Sequence, residues 1–426
     1  MLKLSEEWVL IPLKNLGFLG RGKSKHRPRN DPSLYDGKYP FVQTGDVTHA
    51  EYWLTAHSQT YSDKGLAQSK LWPAGTLCIT IAANIAETAV LTVDACFPDS
   101  VVGFIPDPLK ANTAFIKYSL DLLKQRYKEI SRGTTQDNLS LEKLNSIQIR
   151  VPPLSVQDRV AVILRTYDDL IEVNQRRIAI LEDMARLQFD EWFVRFRYPG
   201  HDAVPLVMTE LGKVPEGWSV SSLDNLCVKI TDGSHWSPTS QPAGKLMASV
   251  KDMGEWGFDL SKCRSISDED FDKLVRNDCL PLLGDILVAK DGANLNKHTF
   301  LVTEQRDDLA VLSSIAIIRP NEQVEREYLT AALKSPDVSA RIKQSVSGAA
   351  IPRIILKDFK KLPMIVPPLK LQSKWVANFA PLAEQCRTLT CSNFRLRAAR
   401  DLLLPKLISG EIDVSAAYET FAEAAE

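Results

Sequence analysis

The 426-residue sequence predicts an α+β chain made of two duplicated α/β units, each followed by a long helix. Three observations predict it. The phrase "VPPLSVQ" (Val151 to Gln157) returns as "VPPLKLQ" (Val366 to Gln372), 215 residues later, about half the chain. A recurrence at half-length is the mark of an internal repeat. After each phrase apolar residues recur every seven positions, the period of a paired helix. Before each phrase, short apolar β patterns alternate with helical stretches over roughly 150 residues, an ordinary domain size.

The repeat has further anchors. "EEWVLIPLKNL" (Glu6 to Leu16) opens the first unit and "EGWSVSSLDNL" (Glu216 to Leu226) the second, with Trp8 and Trp218 in register. Midway, "LWPAGTLCIT" and "LPLLGDILVA" each read as an apolar strand after a glycine turn. The stretch Ser131 to Gln157 then aligns without gaps on Val346 to Gln372, so that Gly133 meets Gly348 and Leu144 meets Phe359. The edges of the units repeat and their interiors do not, as expected of one scaffold carrying two working surfaces. The β patterns are "TLCITIA", "DILVAK" and "SSIAIIRP". "FIKYSLDLLKQRYKEI" and "REYLTAALKS" read as helices.

Proline before a helix start fits the N-terminal preference, and Ser155 with Asp158 resembles a capping box. In the second long helix the seam is Trp375, Leu382, Leu389, Leu396 and Leu403, flanked by Phe379, Cys386 and Leu407. In the first, Tyr167, Asn174 and Leu181 take the same register, and Leu164, Ile171 and Ile178 form a second seam. The two copies are able to pair with each other, with Asn174 fixing register; ordinary core helices are the alternative. These readings divide the chain into a first unit (1–153), a helix (154–198), a turn-rich linker (199–213), a second unit (214–368), a second helix (369–412) and a tail (413–426).

Composition is that of a globular protein, 44% hydrophobic and 25% charged, with a net charge of −1 that neither supports nor excludes nucleic-acid binding. The N-terminus lacks a signal-peptide pattern, and no apolar run is long enough to span a membrane. Seven scattered cysteines without CxxC pairs lead us to expect free thiols in a cytoplasmic protein. Six scattered histidines give no pattern for a metal site.

"GFLGRGKS" (Gly17 to Ser24) matches the phosphate-cradling GxxxxGK[ST] pattern. A P-loop needs a helix after it, whereas "KHRPRNDPS" comes next, with Pro28 and Pro32. A P-loop enzyme therefore stands as an alternative, beside a coiled-coil scaffold that binds only protein. In the same stretch Arg21, Lys23, Lys25, Arg27 and Arg29 alternate. An extended chain would place them on one face as a phosphate-binding row. The second unit offers "KITDGSHWSPTS", with Asp232, Ser234, His235 and Trp236, and "VAKDGANLNKH", with Lys290, Asp291, Asn294, Asn296 and Lys297. Such side chains serve base edges and phosphates, although Asp-Gly is also routine turn chemistry. No motif for a catalytic centre is present.

The doubled "VPPL" helices, "LQFDEWFVRFRYPG" (Leu187 to Gly200) and "LLLPKLISGEI" (Leu402 to Ile412) resemble the specificity subunit of type I restriction–modification systems. "GKYPFVQTGDV" (Gly37 to Val47), which contains Thr44 and Asp46, and "DGSHWSP" resemble parts of its target recognition domains. The resemblance implies two target recognition domains, each reading half of a split double-stranded DNA site, and two helices paired as an antiparallel coiled coil. It implies two modification subunits that methylate adenine with S-adenosylmethionine, and restriction subunits that use ATP and Mg. It implies no cofactor and no catalysis in this chain itself. One departure is that Gln136 falls opposite Ile351, so any role of that glutamine is confined to the first unit.

Overall fold

The structure, a computed structural model, describes residues 8–82, 86–130, 139–292, 295–344, 346–347 and 353–414. Asn294, Gln136 and Ile351, the aligned Gly133 and Gly348, and most of the tail lie outside the described residues. Two compact units emerge: Met1–Glu172 with Arg395–Glu426, and Val173–Phe394. The boundary runs through both long helices (Leu154–Phe189 and Leu369–Ser409), so each unit owns one end of each helix. The divisions read from the sequence set the helices apart from the units. Packing instead joins each helix end to the sheets it covers.

In the first unit a five-stranded sheet runs Gly17–Arg21, Val101–Pro106, Leu77–Thr80, Thr88–Leu91, Trp53–Leu54. A second sheet holds Gln59–Tyr61, Tyr35–Phe41, Ala95–Cys96 and Leu71–Trp72. Leu77–Thr80 is buried at every position, which explains its unbroken apolar run. A short pair, Val9–Pro12 with Gln148–Val151, closes the unit beside the helix start.

The second unit repeats this plan. Its main sheet runs Cys227–Asp232, Ile315–Pro320, Ile286–Ala289, Thr299–Leu301, and its second sheet Arg264–Ile266, Lys245–Ala248, Leu309–Val311. Ser219–Ser222 with Pro363–Val366 closes it. Gly75 and Gly284 stand at φ of 83° and 90° before equivalent strands, a backbone state that favours glycine. The interiors, dissimilar in sequence, thus share one backbone plan. Asp46 and Asp252 even close equivalent capping boxes with Gln43 and Ser249.

The recurring phrase has a structural reason. Gln157 is buried, and its amide accepts from the Asn112 N–H (3.0 Å) and donates to the carbonyls of Lys110 and Pro152 (3.0 Å each). Gln372, also buried, accepts from the Glu325 N–H (2.9 Å) and donates to the Pro367 carbonyl (2.7 Å). Each glutamine ties the long helix to the start of the helix that covers its sheet, Thr113–Ile130 or Arg326–Lys334. The expected capping box at Ser155 is corrected: the helix begins at Leu154, and Asp158 accepts from the Asn112 side chain (2.8 Å) instead.

The long helices pack antiparallel. In the first unit Arg400 pairs with Asp168 and Arg150 reaches the Ser409 carbonyl. In the second, Asn174 bonds Asn393 at 2.9 Å while Phe189 meets Trp375 with ring centroids 5.7 Å apart. Leu164, Ile171, Asn174, Trp375 and Phe379 are buried. Tyr167, Ile178, Leu181, Leu382, Leu389, Leu396 and Leu403 are half-buried and flank a centre that includes Asp168, Ala185, Ala383, Cys386, Asn393 and Leu407. After Phe189 the first helix continues as a π-helical turn, Asp190–Val194, which turns Trp192 and Phe193 into the second core beside Trp218 and Tyr328.

Candidate nucleic-acid interface

Both units release a loop from the same place. Strand Gly17–Arg21 ends at Gly22, whose N–H reaches the Val101 carbonyl (2.9 Å), and the Lys23 N–H reaches that of Phe97 (3.0 Å). Strand Cys227–Asp232 ends at Gly233, whose N–H reaches Ile315 (3.1 Å), and the Ser234 N–H reaches Val311 (2.9 Å). A Cβ on either glycine would stand 2.2 Å from a backbone oxygen, of Phe97 or of Val311. Only glycine lets the chain pass this close.

Beyond these glycines the two loops differ. In the first unit residues 22–26 are irregular, and no α-helix follows before the strand Tyr35–Phe41, only a single 3-10 turn at Pro32–Leu34. Gly17 to Arg21 of the P-loop pattern lie in a strand, so the geometry of a phosphate loop is absent and the P-loop reading is corrected. Arg21, Lys23, Lys25 and Arg27 are exposed, while Gly22 is buried and Ser24 and His26 half-buried. The loop is anchored by its backbone: Gln68 Oε1 accepts from the N–H groups of Lys25 and His26 (2.6 and 3.0 Å), and Ser69 donates to the Lys23 carbonyl (2.7 Å). Arg27 folds back onto the carbonyls of Ser24 and His26 (2.8 Å each). Arg29 turns away to Asp99 at 3.1 Å. Lys70, which sequence reasoning did not single out, lies over the Trp72 ring at 3.6 Å. Burial, with Lys23 adding repulsion, pulls its ammonium below the usual lysine range. Thr44 begins a short helix, and the Asp46 carboxylate is committed to its cap, accepting from the Gln43 N–H (2.7 Å) and Ser58 (3.2 Å).

In the second unit the structure brings the two sequence-predicted loops together. Lys290 forms an ion pair with Asp232, and His235 Nε2 lies 3.3 Å from the same carboxylate. Lys290 is only 3% exposed, so its ammonium serves this pair. Asp291 takes a bidentate contact from Arg353, 3.0 Å for each bond. Arg353 lies 62 residues downstream, and no local pattern marks it. Ser234 accepts from the Trp236 N–H (3.1 Å) and donates to the Trp236 carbonyl (2.8 Å), fixing a tight turn. That turn leaves Trp236 45% exposed, with the Lys273 ammonium 5.6 Å from its ring. Lys297 is exposed, and Asn296 is buried, donating to Ser339 (3.1 Å). Counting from the glycines, Lys25 and Trp236 hold the same place: a cation in one unit, an aromatic ring in the other.

One duplicated frame thus carries two polar loops of different chemistry. Residues 5–183 match the family described as type I restriction modification DNA specificity domain. The chain is 23% identical to the type I restriction enzyme MjaIX specificity subunit of Methanocaldococcus jannaschii, over 97% of this chain and 95% of that protein. It is 23% identical to the HindI specificity subunit of Haemophilus influenzae, over 66% and 72%. The crystal structure of a type I system S subunit from M. genitalium shares the fold, with a TM-score of 0.56 at 16% identity over 95% and 98% of the two chains. The chain is thus similar to type I restriction–modification specificity subunits, over residues 5–183 by the family model and over nearly its whole length by the first of these relatives. Among the described residues, no helix is long and apolar enough to cross a membrane.

Proposed function

We propose that this chain is the DNA-reading subunit of a cytoplasmic type I complex and that each unit reads one half of a bipartite double-stranded DNA site. The observation that carries this is the pair of glycine exits, Gly22 and Gly233, which launch loops of different chemistry from equivalent strands. Cations at the first exit suit a phosphate backbone. The exposed Trp236 and His235 at the second suit contacts in a groove.

The long helices carry the other subunits. In support, Ile180, Met184 and Leu187 of the first helix are exposed apolar residues on neighbouring turns. Two modification subunits, holding S-adenosylmethionine, methylate adenine; restriction subunits, using ATP and Mg, translocate and cut. This chain binds no cofactor of its own.

The test is an exchange of residues 1–150 for the equivalent unit of a relative, co-expressed with the modification subunits, and then mapping of methylated adenine. One half of the recognised site should change and the other stay. A change in both halves would show that the units are not separate readers.

A further inference from the structure

The second unit contains a cavity of about 370 Å³ between the edge strand Thr299–Leu301, the helix Arg326–Lys334 and the unit's own stretches of the two long helices. That volume is within the range of small-molecule sites. Its origin is visible in the duplicate. The glutamine ties align Asn112 with Glu325, hence Tyr118 with Ala331 and Asp121 with Lys334. The 215-residue repeat aligns Arg165 with Ala380 and Asp168 with Ala383. Strand pairing aligns Thr88 with Thr299, since Ile79 and Val288 are their equivalent partners.

In the first unit this space is full. The Tyr118 hydroxyl donates to Asp168, the Tyr52 ring lies 5.8 Å from the Tyr118 ring, and the Arg165 guanidinium stands 5.7 Å from Tyr52. Trp53–Leu54 adds a fifth strand along Thr88–Leu91, and the Thr88 hydroxyl donates to Asp121. In the second unit Ala331, Ala380 and Ala383 replace the tyrosine, the arginine and the aspartate, and all three line the cavity. Among the described residues no fifth strand pairs with Thr299–Leu301. Lys334 stands in the place of Asp121, the hydrogen-bond acceptor of the first unit, and is held by Glu255 (2.6 Å). The Thr299 hydroxyl, on a residue with 0% exposure that lines the cavity, has no hydrogen-bond partner.

We infer that this cavity is a binding site for a small aromatic molecule bearing one hydrogen-bonding group, of the phenol or indole class. The ring takes the place vacated by Tyr118, against Phe300 and Phe379, and the polar group satisfies Thr299. A buried polar atom without a partner is costly, and an aromatic ring supplies the lost contacts. This reading is independent of which DNA site the chain recognises.

The experiment uses the full chain and three probes, indole, p-cresol and toluene, read by ligand-observed NMR and by Trp256 fluorescence. Indole and p-cresol should bind saturably with one site per chain, and toluene about fivefold more weakly for want of the hydrogen bond. Ala331→Phe and Ala380→Leu should each weaken indole binding at least tenfold by filling the space, with circular dichroism confirming the fold. Thr299→Val should bring p-cresol down to the toluene level. Two fillers at separate positions keep the test sharp if one of them fails to fold. Absence of saturable indole binding to the parent chain, or unchanged binding in a folded filler variant, would overturn the site. Equal affinity for toluene and p-cresol in the parent chain would overturn the role of Thr299.

Discussion

Replacing Gln372 by leucine keeps the apolar stem and removes the amide that ties the second helix to its unit. The structure sets the magnitude. Gln372 is fully buried, and its loss leaves the Glu325 N–H and the Pro367 carbonyl without their partner. A buried polar group left unsatisfied costs about 1–3 kcal/mol, so two cost about 2–6 kcal/mol. Gln157→Leu should cost more, because three backbone groups lose their partner. The assay is urea unfolding combined with hydrogen exchange at single amides. In Gln372→Leu the Glu325 amide should exchange faster by about thirtyfold or more, with Asn112 unaffected; Gln157→Leu should reverse that pattern. A loss below about 1 kcal/mol, or unchanged protection at Glu325, would refute the idea that the glutamine explains the recurring phrase.

Other consequences are open to measurement. Lys23→Ala, in the complex with modification subunits, should weaken DNA binding and lower the salt slope by about one, read from affinities at several salt concentrations. Asp232→Asn strands the buried Lys290 ammonium and should destabilise the second unit by about 3 kcal/mol, whereas adding Lys290→Met should restore most of it; urea midpoints of both variants decide. The Ser33 hydroxyl and backbone N–H, helped by Lys64, hold the Asp31 carboxyl down at about 2. A depressed carboxylate stabilises the fold above the ordinary aspartate range and loses that contribution as pH falls towards 2. The contacts around Asp31 should therefore persist at about pH 3, and an NMR titration midpoint at the ordinary aspartate value would contradict this.

The long helices and three buried strands, Leu77–Thr80, Ile286–Ala289 and Ile315–Pro320, were legible because burial imposes periodicity. Leu77–Thr80 and Ile286–Ala289 are covered on both faces and read as unbroken apolar runs. The centre of the helix pair was less legible. Leucines at 382, 389 and 396 mark a flank, while the buried line joins Phe379 and Cys386 of the flanking seam to Ala383 and Asn393, which a count of large apolar side chains passes over. At the candidate interface, the meeting of Asp232 with Lys290 depends on strand order, which sets residues 58 apart in sequence side by side. The backbone anchors Gln68 and Ser69 escaped notice for the same reason. Asp46 illustrates the opposite case. It stands in a family-like segment, but its carboxylate closes a cap, and the equivalent Asp252 does the same in the second unit.

Duplication creates a pairing problem that the buried polar residues address. Two helices with the same heptad pattern bury apolar surface almost equally well after a slip of one heptad. Polar pairs do not tolerate that slip. Asp168 meets Arg400 in the first unit, and one heptad away its partner would be Leu407, leaving a buried carboxylate without a countercharge. Breaking a buried ion pair in this way costs about 3–5 kcal/mol. Asn174 meets Asn393 in the second unit, and a slip of one heptad in the opposite direction would set it against Cys386, a poor hydrogen-bond partner. Leucines at these four positions would bury more apolar area, but they would make neighbouring registers nearly degenerate. The polar pairs trade some stability for a single register, on which the proposed reading of a split site depends whichever loops the two units carry.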